Sequence, residues 1–547
     1  MDRNTLLAFF LISLVLVFTP KYMELVSPPS QDSPSDSTIS ETKEQTSSPF
    51  LKEEKNATPL LRQIKPSTDI KQTKEEIFVV DTDLYTATVS SRGGGTIKNF
   101  RLNNYFGPDS QRVDLINLEN QANLLISAKN LDGDSLTLAS PWELDSKQTR
   151  SRNSDVYELV FKKQHLSFGY IYKTLTFLPN TYIIEVSVDL SEIKNEIYRD
   201  VSFGWFGGLS TTEKNKIDDQ TYFKSYVYQG EELEELKNNE KERLVFNGPT
   251  DWVAIRTKYF ASAIIPKDPS KTRGSTLLST ERSKETYSAG FVFDVNNKGE
   301  FLLYLGPLEY DRIKSLNVGL DNIMDFGWAF IRPISKGVLY ALKEMHQYIP
   351  NYGFVLIVFS FLVKILVYPL TKKSYQSTAA MQTVQPEINK LREKYKSDPN
   401  KLNQATMKLY KEKGVNPLGG CLPMLLQMPL LFALFIVFRT TIELRAEPFI
   451  FWIKDLSSPD FIFSLPFSLP IYGQHVAVLP ILMVVSMYVQ QKMMTGVAQQ
   501  PQQKTMQYFM TGFFFLIFNT FPSGLNLYYT LFNVLTIAQQ KLVPSEK

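Results

Sequence analysis

Apolar residues alternate with polar ones in the first half of the chain and form long runs in the second half. In residues 184–190, every second side chain is Ile, Val or Leu, which is the period of a half-buried strand. Similar runs recur between residues 76 and 325, separated by turn signals such as the glycines at 93–95. The pattern predicts one large β-sandwich, with the charged segment Glu231–Arg243 as a helix or a solvated loop.

The N-terminal run Leu6–Phe18 follows Arg3 and precedes no small-residue cleavage site, so we expect an uncleaved anchor rather than a cleaved signal peptide. Five further runs are predicted to be membrane-spanning helices, which makes six transmembrane helices in all. They are Gly353–Leu370, Leu422–Ile442, His475–Val489, Met506–Phe521 and Gly524–Gln540. Prolines interrupt the apolar segment Phe461–Ile471, which is predicted to be an interfacial approach to the fourth span or its frayed start.

Two segments connect these regions. Residues 24–75 are rich in Ser, Thr, Pro, Glu and Lys and are predicted to be a disordered tether. In residues 331–349, apolar side chains recur at helical spacing, which indicates an amphipathic helix in the membrane interface or, alternatively, a helix packed on the β-domain. The predicted order is an anchor (1–23), the tether (24–75), a β-sandwich domain (76–330), this helix (331–349) and a helical core (350–543).

The distribution of basic residues predicts the orientation. Residues 371–420 hold ten basic and four acidic residues, so this segment is expected to be cytoplasmic. Six spans then place both termini in the cytoplasm and the β-domain on the opposite side. Residues 371–420 are predicted to form a helical hairpin, which can bind anionic lipid, ribosomal RNA or an emerging peptide, or which only fixes the topology.

Composition excludes several classes of protein. A net charge of +3 does not produce the strong overall positive field that attracts nucleic acid. The single cysteine, Cys421, allows no intramolecular disulfide. The three histidines lie far apart, and we find no phosphate-binding loop or nucleophile elbow. We therefore expect no enzymatic activity, no metal and no cofactor.

Lys364 is the most informative residue, because it lies within the apolar span Gly353–Leu370. A charge at that depth costs roughly 2.5–3.5 kcal/mol on insertion scales, and it persists where it faces water, a partner or a functional cavity. The alternative is snorkelling, since a lysine stem can reach the headgroups from about 9 Å below the helix end.

Further polar residues are candidates for lining the same cavity. Gln427 lies in a segment dense in Gly and Pro, which predicts an irregular helix entry beside protein or water. Asn526 and Asn533 are seven residues apart on one face of the last span, together with Tyr529. The alternative for each is hydrogen bonding between helices, with Tyr529 in an aromatic belt.

Together these residues resemble the YidC/Oxa family of membrane protein insertases, of the Gram-negative type with a large periplasmic domain. The resemblance covers most of residues 78–540. The motifs that carry it are Asn351–Phe354, Val363–Thr371, Val415–Pro423, Gln427–Pro429 and Phe521–Leu525 in the core, and Trp252–Ile255, Lys258–Ala263, Leu305–Pro307 and Phe326–Trp328 in the β-domain.

The resemblance implies a periplasmic β-supersandwich, an interfacial helix and a five-helix core with a hydrophilic groove in the bacterial inner membrane. The groove cation of the family aligns with Lys364, and its hydroxyl one turn earlier aligns with Ser360. The surface along which a substrate slides aligns with Met428, Leu431 and Tyr529. The implied partners are nascent membrane proteins, the Sec translocon, the lipid bilayer and the ribosome, with no small-molecule substrate.

Three features depart from the family pattern. Many relatives carry Arg where this chain has Lys364, and lysine cannot form a bidentate fork with a carboxylate. The tail after Gln540 is short, whereas some relatives have a long basic tail. The insertion Ser457–Gly473 has no explanation from the sequence.

The sequence therefore predicts an insertase and chaperone that works alone or with the Sec translocon. A groove that admits hydrophilic segments, with Lys364 attracting their carboxylates, requires no nucleotide site. The alternatives are a small-solute transporter or channel, since broken helices and a buried charge also suit transport, and an envelope binding protein that acts through its β-domain.

Overall fold

The computed structural model describes residues 74–116, 123–150, 156–165, 169–237, 242–279, 287–396, 398–415, 422–469, 472–494 and 511–542. The predicted anchor and tether, apart from residues 74 and 75, lie outside these residues, as do Cys421 and the first part of the predicted span Met506–Phe521.

The N-terminal domain is built from antiparallel strands. They are β1 (Ile77–Asp81), β2 (Tyr85–Ser90), β3 (Thr96–Phe106), β4 (Arg112–Asp114), β5 (Leu124–Ser127), β6 (Glu143–Arg150), β7 (Val156–His165), β8 (Gly169–Phe177), β9 (Ile183–Asp189), β10 (Asp200–Trp205), β11 (Lys224–Gln229), β12 (Glu232–Lys237), β13 (Glu242–Asn247), β14 (Trp252–Arg256), β15 (Phe260–Pro266), β16 (Thr272–Ser279), β17 (Tyr287–Asp294) and β18 (Gly299–Pro307).

The described strands of the β-domain form three sheets. A nine-stranded sheet has the order β12-β11-β14-β15-β18-β9-β8-β7-β6, a five-stranded sheet has the order β13-β16-β17-β10-β5, and β1 to β4 form a third sheet in sequence order. The two larger sheets pack face to face, with Phe203 of β10 and Phe301 of β18 at a ring-centroid distance of 4.8 Å. Alternate side chains of β9 are buried, as its period of two predicts. The predicted β-sandwich is confirmed.

The prediction for Glu231–Arg243 was wrong, because this segment contributes to two strands, β12 and β13. β12 pairs with β11, and β13 pairs with β16, each at the edge of its sheet. Leu236 is buried, whereas Glu235 forms an ion pair with Lys224 at 2.9 Å. Charged residues on an edge strand obscure the apolar alternation by which a strand is predicted.

Helices dominate the second half of the chain. The α-helices within the described residues are α1 (Lys216–Gln220), α2 (Tyr310–Lys314), α3 (Arg332–His346), α4 (Tyr352–Lys394), α5 (Pro399–Glu412), α6 (Leu422–Thr440), α7 (Leu479–Met494), α8 (511–518) and α9 (Ser523–Leu542). A further two-stranded sheet consists of β19 (Phe461–Leu469) and β20 (Gly473–Ala477).

Within the described residues, one helix is long and apolar enough to cross a membrane, the Tyr352–Pro369 part of α4, and Gln427–Thr440 is a shorter apolar helix. Six spans therefore remain a prediction. The segment Phe461–Ile471 is no frayed helix start, since β19 pairs with β20. The helix predicted from His475 begins at Leu479, because residues 473–477 belong to that hairpin.

The predicted amphipathic helix corresponds to α3. Its buried residues include Val338, Leu339 and Leu342, and the helix packs against α4 and α6. Lys343 forms ion pairs with Asp311 of α2 and, at 3.5 Å, with Glu443. The helix therefore links the β-domain to the core. Its position in a membrane interface remains a prediction.

Candidate functional site

Helix α4 carries two of the predicted site residues, Ser360 and Lys364. The helix begins after Asn351, whose side-chain oxygen accepts hydrogen bonds from the backbone N–H groups of Gly353 and Phe354. An apolar run of good helix formers follows, and the helix continues through Pro369 to Lys394. One helix therefore contains both the predicted span and the first arm of the predicted hairpin.

The side chain of Lys364 lies between α4 and α9 and is 8% exposed. Its Nζ donates a hydrogen bond to Oγ1 of Thr536 at 2.7 Å and lies 4.5 Å from the ring centroid of Phe532. The Thr536 hydroxyl in turn donates to the carbonyl of Phe532 at 2.7 Å. Among the described residues, the contacts of its ammonium group are with Thr536 and Phe532, and none is an ion pair with a carboxylate. The site therefore presents a cation whose protein partners are neutral.

Ser360 lies one turn before Lys364 and is fully buried. Its hydroxyl donates to the carbonyl of Leu356 at 2.7 Å, within its own helix. This bond holds the side chain against α4 and leaves the oxygen lone pairs available as acceptors.

The two predicted asparagines of α9 bind different elements. Asn533 donates from Nδ2 to Oγ of Ser486 on α7 at 3.1 Å. Asn526 donates from Nδ2 to the carbonyls of Phe518 and Phe521, at 3.1 and 3.4 Å. The contact of Asn533 joins two helices, whereas Asn526 binds the last residue of α8 and the turn between α8 and α9.

Helix α9 carries several buried polar atoms that have no hydrogen-bond partner within the described residues. Among the described residues, several buried oxygens of this helix make no hydrogen bond. They are Oδ1 of Asn526, the hydroxyls of Tyr528 and Tyr529, and Oε1 of Gln539 and Gln540. Buried polar groups without partners are costly unless water or another polar group reaches them, so this face of the bundle has unused capacity for polar contacts.

The residues aligned with the sliding surface lie on two helices. On α6, Met428 is 37% exposed, while Gln427 and Leu431 are half-buried. On α9, Tyr529 is buried against Phe518, with ring centroids 6.0 Å apart. Lys364 contacts none of these side chains through a hydrogen bond.

Sequence reasoning missed Thr536 and Ser486, the partners of Lys364 and Asn533. Thr536 lies three residues after Asn533, which places it on the polar face of α9 and is the signal that could have identified it. Ser486 lies in an apolar run with no such neighbour.

The end of the core nearest the β-domain is fixed by two arginines. Arg439 forms an ion pair with Asp218, which also binds Lys258 at 2.9 Å. Although burial opposes it, the charges of Lys258 and Arg439 hold the pKa of Asp218 below its ordinary value. Arg445 donates from Nε to Glu213 at 2.7 Å. These contacts attach the β-domain to the end of α6.

No group of three or more His, Cys, Asp or Glu side chains that could hold a metal ion occurs in the described part of the chain.

Both halves of the chain match known protein families. Residues 344–547 match the family described as "60Kd inner membrane protein", and residues 78–337 match the family described as "YidC periplasmic domain". The fold and these matches define an inner-membrane protein with a helical core and a periplasmic β-sandwich domain.

Proteins named membrane protein insertase YidC are similar over most of the chain. The one from Chlorobium limicola is 36% identical over 567 residues, which cover 100% of this chain and 95% of that protein. The one from Chlorobium luteolum is 37% identical over 490 residues, covering 86% of this chain and 83% of that protein. The chain therefore belongs to the YidC family of membrane protein insertases.

A solved structure described as an active YidC insertase with its first transmembrane domain resolved covers 87% of this chain and 93% of its own. Its sequence identity is 18% and its TM-score is 0.37.

Proposed function

We propose that this chain inserts nascent membrane proteins into the inner membrane and assists their folding, through a hydrated, positively charged groove around Lys364. The observation that carries the proposal is a buried ammonium group between α4 and α9 with a hydroxyl, Thr536, as its hydrogen-bond partner. A cation at span depth with neutral partners is costly and is retained where it serves a function.

Lys364 supplies the attraction for the substrate. A hydrophilic segment that crosses the bilayer often carries carboxylates, and an ammonium group attracts them more strongly as the effective dielectric constant falls. The side chain is directed at Thr536 on another helix, whereas snorkelling would extend it along α4 towards the helix end. This direction favours a role inside the bundle.

The other site residues lower the cost of moving a polar segment. Asn526, Tyr529 and Gln539 carry buried oxygens that can accept hydrogen bonds from water or from a peptide backbone. Ser360, Gln427 and Asn533 add further hydrogen-bonding groups to the groove. In this proposal, polar segments remain hydrogen-bonded within the groove and are not fully dehydrated.

The apolar part of the substrate leaves the groove sideways into lipid. Met428 is partly exposed on α6, and we assign it, with Leu431 and Tyr529, to a hydrophobic sliding surface. Each Leu, Ile or Phe contributes roughly −0.3 to −0.6 kcal/mol at the centre of a span. Partition of a hydrophobic segment can therefore drive insertion without nucleotide hydrolysis, so the proposed activity is not enzymatic and uses no cofactor.

The proposed topology has six spans, with both termini in the cytoplasm and the β-domain in the periplasm. In the hairpin arms of α4 and α5, Lys413 binds Glu387 at 2.6 Å, and many of the remaining basic side chains are exposed. We assign this surface to the ribosome or the emerging chain. The Sec translocon is the second proposed partner, for substrates whose insertion requires the translocon as well as this protein.

The test uses the purified chain in vesicles without nucleotide. Two substrates are compared, which are identical except that the translocated tail of one carries acidic residues and that of the other carries neutral residues. We expect Lys364→Met to reduce insertion of the acidic-tail substrate roughly ten-fold, since that corresponds to about 1.4 kcal/mol of lost attraction, and to affect the neutral one less. Lys364→Arg is the matched control, because it retains the charge, and it should insert both substrates.

If Lys364→Met reduced insertion of both substrates equally, the proposed electrostatic role of Lys364 would be contradicted. Uptake of a small solute by the same vesicles, without insertion of either substrate, would instead favour a transporter.

A further inference from the structure

The β19–β20 hairpin lies at the β-domain end of the helical core. The backbone N–H of Ala477 donates to Oδ1 of Asn519 at 3.1 Å, and Nδ2 of Asn519 donates to the carbonyls of Tyr472 and His475 at 2.9 and 2.7 Å. Asn519 lies in the turn between α8 and α9. The hairpin is therefore fixed at the level where these helices and α7 begin or end.

The first strand is fixed by Asp460, the residue before it. Oδ2 of Asp460 accepts hydrogen bonds from the backbone N–H groups of Val478 and Leu479, at 3.1 and 2.8 Å, and from Nε1 of Trp452 at 2.9 Å. The carboxylate thus joins the start of β19 to the start of α7. Because both strands are anchored, the orientation of the hairpin relative to α7 is set.

Strand β19 exposes large apolar side chains on both of its faces, although it also contains Ser464, whose Oγ lies 2.7 Å from Nδ1 of His475 on β20. Phe463 and Phe467 are 55% and 57% exposed, and Phe461 and Ile462 are also exposed. No Lys, Arg, Asp or Glu occurs in residues 461–491. An isolated two-stranded hairpin is at best marginally stable in water. A hairpin that exposes this many large apolar side chains and carries no Lys, Arg, Asp or Glu is therefore stabilised by an apolar environment.

The exposed face of the hairpin is continuous with the exposed face of α7. On that helix, the exposed large apolar side chains lie at the spacing of a single helical face. They are Ile481, Leu482, Val485, Tyr488, Val489 and Met493. Helix α7 carries no Lys, Arg, Asp or Glu before Lys492 in its last turn. In a member of an inner-membrane family, such an exposed apolar helix face is covered by lipid. The same bilayer therefore reaches the hairpin.

The depth of the hairpin follows from its backbone. Open strand edges are not tolerated in the hydrocarbon region, because unpaired N–H and C=O groups find no partner there. The exposed aromatic side chains of Phe451 and Trp452, stacked at 5.9 Å, lie beside Asp460, and Trp is enriched at the membrane interface. Both features place the hairpin at headgroup level.

We propose that the β19–β20 hairpin inserts into the interfacial region of the outer leaflet and acts as a monotopic lipid anchor beside α7. Its occupant is the lipid surface, with the acyl-chain boundary beneath Phe463 and Phe467. The anchor would hold the periplasmic end of the core at a fixed depth. This inference rests on the membrane placement of α7 and does not depend on Lys364.

The experiment labels single cysteines with the environment-sensitive fluorophore NBD in full-length chain from which Cys421 has been removed by Cys421→Ser. Phe463→Cys and Phe467→Cys are the two test positions, and both side chains are exposed, so the label replaces no packed group. Ile217→Cys in the β-domain is the control, because it is 77% exposed there. The samples are nanodiscs of phosphatidylethanolamine and phosphatidylglycerol.

We expect a blue-shifted emission at both test positions, quenching by lipids spin-labelled near the headgroup, and loss of quenching by iodide. The control position should show no blue shift and no quenching by the spin-labelled lipids, and iodide should quench it. Quenching by iodide at 463 and 467 would overturn the proposal, since the hairpin would then face water, free for a protein partner. Resistance to both quenchers would overturn it as well, because a second copy of the chain would then cover the hairpin.

Discussion

The ammonium nitrogen of Lys364 lies 2.7 Å from the hydroxyl oxygen of Thr536, so one hydrogen bond joins the predicted second span to the last helix of the core. The Thr536 hydroxyl also donates to the carbonyl of Phe532, so its single donor and one of its two acceptor lone pairs are used. The bond satisfies one of the three donors of a buried cation and fixes the direction of its side chain.

Thr536→Val removes this acceptor while keeping the shape of the side chain. We expect a destabilisation of about 1.5–3 kcal/mol, the usual range for a hydrogen bond to a charged group, measured by thermal unfolding in detergent. Thr530→Val is the matched control, because the Thr530 hydroxyl donates to the backbone carbonyl of Asn526 in its own helix at 2.8 Å. A similar loss in both variants would mean that the bond to Lys364 contributes nothing particular.

The ion pair between Arg445 and Glu213 predicts a firm attachment of the β-domain to the core. Arg445 is 4% exposed at its side chain, and it also donates to the carbonyls of Phe106 and Thr212 at 2.9 and 3.4 Å. Arg445→Met leaves the partly buried carboxylate of Glu213 without its cationic partner, and breaking a buried pair in this way costs about 3–5 kcal/mol. Faster proteolytic release of the β-domain from the core would measure this loss.

The control for that prediction is an exposed pair of the same kind. Arg101 lies 3.5 Å from Asp114, and its side chain is 61% exposed. Arg101→Met should change stability by less than about 1 kcal/mol, as is typical of surface ion pairs. If Arg445→Met and Arg101→Met gave equal proteolysis rates, the attachment would rest on other contacts.

Lys173 predicts a pH dependence of the β-domain. It is fully buried on β8, where its Nζ donates to the carbonyls of Gly93 and Leu124 at 3.1 and 2.7 Å, and burial lowers the pKa of Lys173 to about 7. The unfolded chain keeps the proton up to its ordinary pKa, about 10.4. Between these values the unfolded state binds more protons, so stability should rise with pH from 7 to 10.

Lys173→Met removes this titration. Unfolding of the full chain, followed by the fluorescence of the buried Trp142, Trp205 and Trp252, should show a slope of stability against pH in the native protein and a smaller slope in the variant. Parallel slopes would assign the pH dependence to other groups. Lys267→Met, on the surface, should leave the slope unchanged.

Gly524 allows α9 to approach the loop before β19. A Cβ atom at this position would lie 2.5 Å from Cε1 of Phe438 and 3.1 Å from the carbonyl oxygen of Leu456. Gly524→Ala should therefore destabilise the core by about 1–3 kcal/mol, as overpacking does. Gly512→Ala is the control, since no atom lies within 4 Å of its added Cβ. Thermal unfolding should distinguish the two, and equal midpoints would contradict the close approach.

Local patterns allowed much of the fold to be predicted. The alternation in β9 and the apolar run that begins at Tyr352 each encode their structure over a few neighbouring residues. The hairpin was missed because an apolar run fits a helix and a strand equally well. Its pairing depends on Gly473, whose φ of 84° favours glycine, and on Asn519, which lies 42 residues after Ala477 and 44 after His475.

The site was predictable only where a local pattern marks a residue, and its long-range contacts were not predictable. The charge of Lys364 is conspicuous within an apolar span, whereas its partner Thr536 lies 172 residues away and no sequence period connects them. The asparagines of α9 were identified as polar residues on one face, but their partners, Ser486 and two backbone carbonyls, depend on how the helices pack.

Water access to position 364 tests the proposed groove most directly. The measurement is the rate at which a charged, membrane-impermeant thiol reagent modifies Lys364→Cys in the Cys421→Ser chain, embedded in vesicles, with Phe361→Cys on the exposed face of α4 as the lipid-facing control. We predict that position 364 reacts, that a stalled nascent chain protects it, and that position 361 stays unmodified. An unreactive cysteine at 364, with or without a nascent chain, would contradict a hydrated groove.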